Sequence, residues 1–296
     1  MVYQMKTRLI ENNPSEYILP ELYQYTLTSK DSPLYITLVG GGGKTSAAFW
    51  LAKKFKQWGC SVCVTTTTKM YLPTQEQADS IIPIDEINSV YHFSAQHAFG
   101  ICEPTITFVY KSLITDHLKT PQPKVLGLSE KEIKFIENHC PFTVFIIEGD
   151  GAHSLPIKAP DRNEPCIPSY SNMVIGVTGA EAINRKAMPC HIHRWPAFSA
   201  ITKCQPGEVI DTQVLQRLVS HPQGLFKSTP KTAKKIWLIN KMDLANDAQT
   251  VSKIAEEVLA NSPQLNAVWL TEMQAETPIK NVILKEQVAN ATESCH

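Results

Sequence analysis

Tyr35-Ile-Thr-Leu-Val-Gly-Gly-Gly-Gly-Lys-Thr-Ser46 decides the fold. Tyr35, Ile36, Leu38 and Val39 read as a buried strand, Gly40 to Gly43 as a bare loop, and Lys44-Thr45 as the start of an amphipathic helix. Consecutive glycines allow positive φ and turn several N–H groups toward one small anion, and a helix N-terminus adds its dipole. The expectation is a phosphate cradle made by Gly40, Gly41, Gly42, Gly43, Lys44, Thr45 and Ser46. Lys44 then bridges the β and γ phosphates of ATP or GTP, and the Thr45 hydroxyl coordinates Mg²⁺. Ala48, Leu51, Phe55 and Trp58 recur at helical steps, and Gly59 stands where a C′ glycine belongs.

Leu38 occupies the position of the first glycine in the usual G-x-x-x-x-G-K-[ST], leaving the shorter G-x-x-G-K-T. Loops of that form are similar to those of nucleotide-binding ligases of the Mur type. Downstream, Ser61 to Thr65 reads as a strand running into Thr66-Thr67-Thr68-Lys69. Thr67 and Thr68 are candidate ligands of substrate or of the magnesium shell, and a β-prone threonine run is the other reading. Thr105 to Tyr110 is a further strand, and Ser129 caps a helix to Asn138 with Glu132 three residues on.

Phe142 to Ile147 is a buried strand ending at Glu148-Gly-Asp-Gly-Ala152. An apolar strand delivering Glu148 and Asp150 into a glycine turn is the pattern of an acid that reaches a metal or its water. Pro156, Pro160, Pro165 and Pro168 keep the next stretch irregular, with Lys158, Arg162 and Glu164 as candidates for a second, anionic substrate. Ser171 to Thr178 is another strand. His193 and Arg194, in Cys190-His-Ile-His193-Arg194-Trp195, read as contacts for a phosphate or carboxylate, because that segment alone lacks a zinc ligand set. Helical text from Pro196 to Phe226, with Val209, Val214, Leu215, Leu218 and Val219 inward, suggests an insertion near residues 185–230. Strand Ile236 to Ile239 then delivers Asn240-Lys241-Met-Asp243, the N-K-x-D pattern of guanine readers. Gln249 to Leu259 is a helix and Ala267 to Leu270 a strand.

Twenty-eight Lys plus Arg against 28 Asp plus Glu leave no net field for nucleic acid or anionic lipid. No apolar run approaches the roughly 18 residues of a spanning helix, and Met1 to Asn12 lacks a signal-peptide core, so the expectation is a soluble, cytoplasmic protein without nucleic-acid or membrane partners. The eight cysteines are scattered, and Cys60-x-x-Cys63 enters a strand that sends the two thiols to opposite faces. The expected organisation is an N-terminal extension (1–30), an α/β P-loop domain (31–280) of three layers on a mainly parallel sheet with the helical insertion, and a C-terminal tail (281–296).

Taken together, Leu38 to Thr45, Val64 to Lys69, Ile147 to Ala152, Lys158-Ala-Pro160, Glu164 to Pro168, His193-Arg194, Gly224 to Phe226 and Leu238 to Asp243 resemble the YqeC proteins, which are named for selenium cofactor biosynthesis. The likeness covers roughly Pro33 to Leu270. One departure is Asn163, where the family pattern usually carries His before Glu-Pro. The resemblance implies a P-loop NTPase or phosphoryl-transfer enzyme whose partners are a molybdenum or selenium cofactor species and an apo-hydroxylase. Glu148-Gly-Asp-Gly is also similar to the acidic turn of dethiobiotin-synthetase-type enzymes. In this reading Lys69, Lys158 and Arg194 face the acceptor. An amide-forming ligase and a nucleotide-gated cofactor carrier without significant turnover are the competing readings.

Overall fold

The structure is a computed structural model of the 296-residue chain and describes residues 32–87, 103–114 and 122–285. The expected extension over 1–30 and the tail beyond Glu286 lie outside the described residues.

Nine strands form the main sheet: β1 (Leu34–Gly40), β2 (Val62–Thr66), β4 (Ser80–Pro83), β5 (Ile106–Tyr110), β8 (Val144–Glu148), β10 (Met173–Gly179), β12 (Lys234–Asn240), β13 (Ala267–Thr271) and β14 (Ile279–Leu284). Their spatial order is β14-β13-β12-β10-β1-β8-β2-β5-β4, with β1 at the centre. Every neighbouring pair is parallel except β13 with β14. Parallel strands are covered on both faces and so read as unbroken apolar runs. All seven residues of β1 and of β10 are buried. A small sheet of β3 (Lys69–Tyr71), β7 (Lys124–Leu126) and β6 (Ser112–Ile114), and a parallel pair β9 (Ile157–Lys158) with β11 (Ile192–His193), stand apart from the main sheet.

Alternation along β1 divides the core. Ile36 and Leu38 face α1 (Lys44–Gln57), whose Ala48, Leu51 and Phe55 are buried against them. Burying Phe55 fully contributes about 1.5–3 kcal/mol. Gly59, at φ +84°, follows the end of α1 as the left-handed residue that lets the chain leave the helix. On the other face, Tyr35 and Ile147 pack with Ile133 and Ile136 of α2 (Glu130–His139). Val39, Trp237 and Val268 pack with α3 (Trp195–Thr202), α4 (Thr212–Ser220) and α5 (Ala248–Ala260). Helices therefore cover both faces of the sheet, a three-layer α/β domain with a helical insertion between β10 and β12.

The expected helical insertion is present as two helices, α3 and α4. Two expectations are corrected. Val209 is 43% exposed, because it precedes the Asp211 cap of α4 and pairs with Lys186 in an isolated bridge. The sheet also continues past residue 280, since β14 adds an antiparallel edge strand through Leu284.

Register places the chemistry. Leu38 stands opposite Glu148, Glu148 opposite Thr66, Gly40 opposite Val177, and Gly179 opposite Asn240. Five adjacent strands thus end at one level, and their carboxyl ends form a single edge. Ligands of open α/β sheets bind at that edge.

Away from it, α2 carries a reciprocal capping box: Ser129 Oγ accepts from the Glu132 N–H, and Glu132 accepts from the Ser129 N–H. Ser129→Ala is expected to lower stability by about 1 kcal/mol. Urea unfolding measures this, and an unchanged midpoint would contradict the assignment.

Candidate functional site

The glycine loop is built by close approach. A Cβ on Gly42 would stand 2.2 Å from the Gly179 nitrogen, and one on Gly40 would stand 2.3 Å from the Val177 oxygen. Gly40, Gly42 and Gly43 also have φ of +98°, +81° and +120°. Side chains at these positions would meet both backbone contact and strain.

The amides divide differently from the expected cradle. Gly40 N–H donates to both Asp150 oxygens at 3.1 Å, Gly41 N–H to Val177 O at 2.9 Å, and Gly42 N–H to Leu155 O at 3.0 Å. Three of the four glycine amides are therefore satisfied within the protein. α1 begins with glycine as its cap and has no side-chain cap and no acid in its first turn. Gly43, Lys44, Thr45 and Ser46 make no backbone N–H hydrogen bond among the described residues, and the first helical bond runs from Ala47 N–H to Gly43 O. These four donors at the positive end of the helix are left unpaired, a setting that favours negative charge.

Beneath the loop lies a chain of alternating charges. Lys44 Nζ donates to Gly40 O at 2.7 Å and stands 3.3 Å from Asp150 and 3.8 Å from Glu148. Asp150, 1% exposed, also pairs with Lys158 at 2.9 Å. Lys158 donates further to Glu164 at 2.9 Å and to Gly151 O at 2.6 Å. Glu164 accepts from Arg194 as well, and Arg194 Nε lies 3.5 Å from Asp161. Burial opposes the charge on Lys44, but Asp150 and Glu148 prevail and raise its pKa above the ordinary lysine value. Burial raises the Glu148 carboxyl, against the pull of Lys44 and the Thr45 hydroxyl. For Glu164 burial is outweighed by Arg194 and Lys158, which hold it below the usual glutamate value.

Lys158 corrects an expectation. Its Pro-rich setting suggests a side chain facing a second substrate, yet it is 1% exposed, donates to Gly151 O and Glu164, and forms an ion pair with Asp150. A buried ammonium must be paired, and this one joins Asp150 to Glu164. Glu164 is likewise held between Lys158 and Arg194, away from the role of free substrate contact.

Glu148 and Asp150 occupy distinct settings. Thr45 Oγ1 donates to Glu148 Oε2 at 2.8 Å, whereas Asp150 is enclosed by Gly40 N–H and two lysines. Thr67 Oγ1 donates to Cys166 O at 2.9 Å, and Thr68 Oγ1 lies 3.5 Å from the Thr66 hydroxyl, which itself donates to Glu148 O. The threonine run thus ties β2 to the acidic turn and to the Pro-rich loop. Lys69 is exposed at the start of β3, and Arg162 is exposed in the loop whose carbonyls, Asp161 O and Arg162 O, are held by Lys227. His193 stacks on His153 with ring centroids 4.7 Å apart. Burial, then Lys158 and Arg194, push its pKa down to about 4, so it is neutral near pH 7.

Asn240 is 3% exposed and joins two strand ends: Nδ2 donates to Gly42 O at 2.9 Å, and Oδ1 accepts from Met273 N–H at 3.0 Å. Lys241 is left-handed at φ +60° and pairs with Glu181, while Asp243 is exposed. Glu181 was missed at the level of sequence. Its signal was present, for it follows the buried strand β10 as Glu148 ends β8. No group of three His, Cys, Asp or Glu side chains gathers as a metal set among the described residues, and no helix there is long and apolar enough to cross a membrane.

Asp150→Ala removes the partner of two buried lysines and is expected to cost about 3–5 kcal/mol. Urea unfolding checks this, and a loss under about 1 kcal/mol would contradict the role given to Asp150.

Comparison with known proteins adds a family. Residues 36–196 match the family described as YqeC protein. A protein of Escherichia coli (strain K12), named uncharacterized protein YqeC, is 32% identical over 255 residues, spanning 86% of this chain and 93% of its own. The crystal structure of the signal recognition particle receptor FtsY from Elizabethkingia anophelis aligns over 92% of this chain and 74% of its own at 12% identity, with a TM-score of 0.36. That last likeness is too loose to bear on chemistry. With the family match covering more than half of its length, the chain belongs to the YqeC family.

Proposed function

We propose that this protein binds a magnesium–nucleoside triphosphate at the first turn of α1 and transfers or hydrolyses its terminal phosphoryl group. The observation that carries the reading is the set of four undonated amides at Gly43–Ser46, beside a buried lysine and a carboxylate at the same sheet edge. Donors fixed in place before the ligand arrives need no reorganisation, and this is how phosphoryl-transfer sites stabilise charge.

Lys44 now rests on Gly40 O and Asp150, an arrangement in which neutralising charge is already present. A phosphate chain at the helix terminus offers the ammonium stronger acceptors a short swing away. Thr45 and Glu148 fit Mg²⁺: a hydroxyl and a carboxylate oxygen lie 2.8 Å apart next to the free amides, and magnesium is commonly held by one or two carboxylates together with phosphate oxygens. When bound, the ion would supply positive charge to neutralise phosphate oxygens. Asp150 serves as the fixed counter-charge that holds the loop, and Glu148 as the acid toward the metal. Arg194 and Lys69 remain the candidates on the acceptor side, with His193 available as a neutral proton acceptor. The acceptor, a selenium or molybdenum cofactor species destined for a hydroxylase, is supported by the family resemblance, while the nucleotide is supported by the loop.

A thermal-shift titration tests this. At a hundred times its dissociation constant, a magnesium nucleotide is expected to add about 2.7 kcal/mol of stability to the wild-type protein. Lys44→Ala should lose that gain, and Glu148→Gln should keep nucleotide binding while losing the added effect of Mg²⁺. Equal stabilisation of wild type and Lys44→Ala would overturn the proposal.

A further inference from the structure

The loop after β12 is held from three sides. Asn240 ties it to the glycine loop through Gly42 O and to the end of β13 through Met273 N–H and the Thr271 hydroxyl. Lys241 ties it to Glu181, in the short turn Ala180–Ala182 that follows β10. Lys241 adopts a left-handed conformation that disfavours any residue with a Cβ, so these ties hold the backbone against a local cost.

Two carboxylates are left over in this arrangement. Asp243 is exposed, at the same edge of the sheet, with no hydrogen bond or ion pair among the described residues. Glu181 gives Oε1 to Lys241, but its Oε2 is buried without a hydrogen-bond partner, beside the Gly179 backbone that Gly42 touches. A buried carboxylate oxygen lacking a donor calls for a physical account. Of the two, Asp243 is the one open to a ligand; its carboxylate accepts and does not donate, so the ligand edge that suits it carries adjacent N–H groups.

We infer that the nucleotide of this site is a guanine nucleotide, with Asp243 reading the base and Glu181 positioning Lys241 and the loop. The inference rests on the proposed phosphate site and deepens it. Guanine offers N1–H and the N2 amino group side by side, which a carboxylate accepts in bidentate fashion. Adenine offers one amino group next to an unprotonated N1, whose lone pair would face a carboxylate. A site that hydrogen-bonds a ligand group rejects the analogue lacking it, because its own polar atoms are then left unpaired. Two charge-assisted bonds give a preference on the order of a hundredfold or more.

The test is calorimetric titration of the full chain with GDP, ADP, inosine and xanthosine diphosphates, and tripolyphosphate, all with Mg²⁺. The expected order is GDP tightest, inosine diphosphate weaker for want of the N2 amino group, and ADP weaker by about a hundredfold. Asp243→Asn should lose the preference for GDP and gain affinity for xanthosine diphosphate, whose 2-oxo group suits an amide donor. Glu181→Gln should lower the GDP-to-ADP ratio while tripolyphosphate affinity stays unchanged, a split that general unfolding would not produce. Equal binding of GDP and ADP, or tighter ADP, overturns the base assignment and leaves the phosphate site standing. Failure of every nucleotide and of tripolyphosphate to bind overturns both.

Discussion

The structure depends on one buried carboxylate. Asp150 receives the Gly40 N–H on both oxygens and stands against Lys44 on one side and Lys158 on the other. The strand that brings it, β8, lies next to β1, so the hydrogen bond joins the ends of two neighbouring strands. From Asp150 the charges alternate outward through Lys158, Glu164, Arg194 and Asp161, while Lys44 and Glu148 stand on its other side. Buried charges persist only when paired. The first turn of α1, by contrast, keeps its donors unmatched.

This arrangement separates two tasks that the glycine loop would otherwise combine. Gly40, Gly41 and Gly42 hold the loop in shape through acceptors of the protein itself, and their lack of side chains admits the neighbouring backbone of β10 and of Leu155. The first turn of α1 then keeps its own amides free for the proposed phosphate. Asn240 extends the scaffold to the loop of the proposed base reader, so the proposed phosphate and base sites share one edge of the sheet.

Much of this was legible in the sequence. A strand of unbroken apolar residues, a glycine run and a 3.6-residue pattern gave β1 and α1 nearly to the residue, and the serine three before Glu132 gave the cap of α2. Other features depend on tertiary contacts that no local pattern reports. Lys158 in a Pro-rich stretch reads as exposed until β9 pairs with β11 and draws it inward. β14 alternates weakly, with Lys280 and Asn281 exposed at the sheet edge, and so reads as a tail. The three-residue strands of the small sheet are too short for periodicity to mark. The partners of the glycine amides lie over a hundred residues away in sequence, and the division of those amides between scaffold and ligand follows from that distance.

The most direct measurement is a crystal structure with Mg²⁺ and a non-hydrolysable triphosphate. It should place phosphate oxygens about 3 Å from the amides of Gly43–Ser46, with Lys44 moved from Gly40 O onto phosphate and Gly40 N–H still on Asp150. A triphosphate bound elsewhere, or a glycine loop that abandons Asp150 to hold it, would contradict this account.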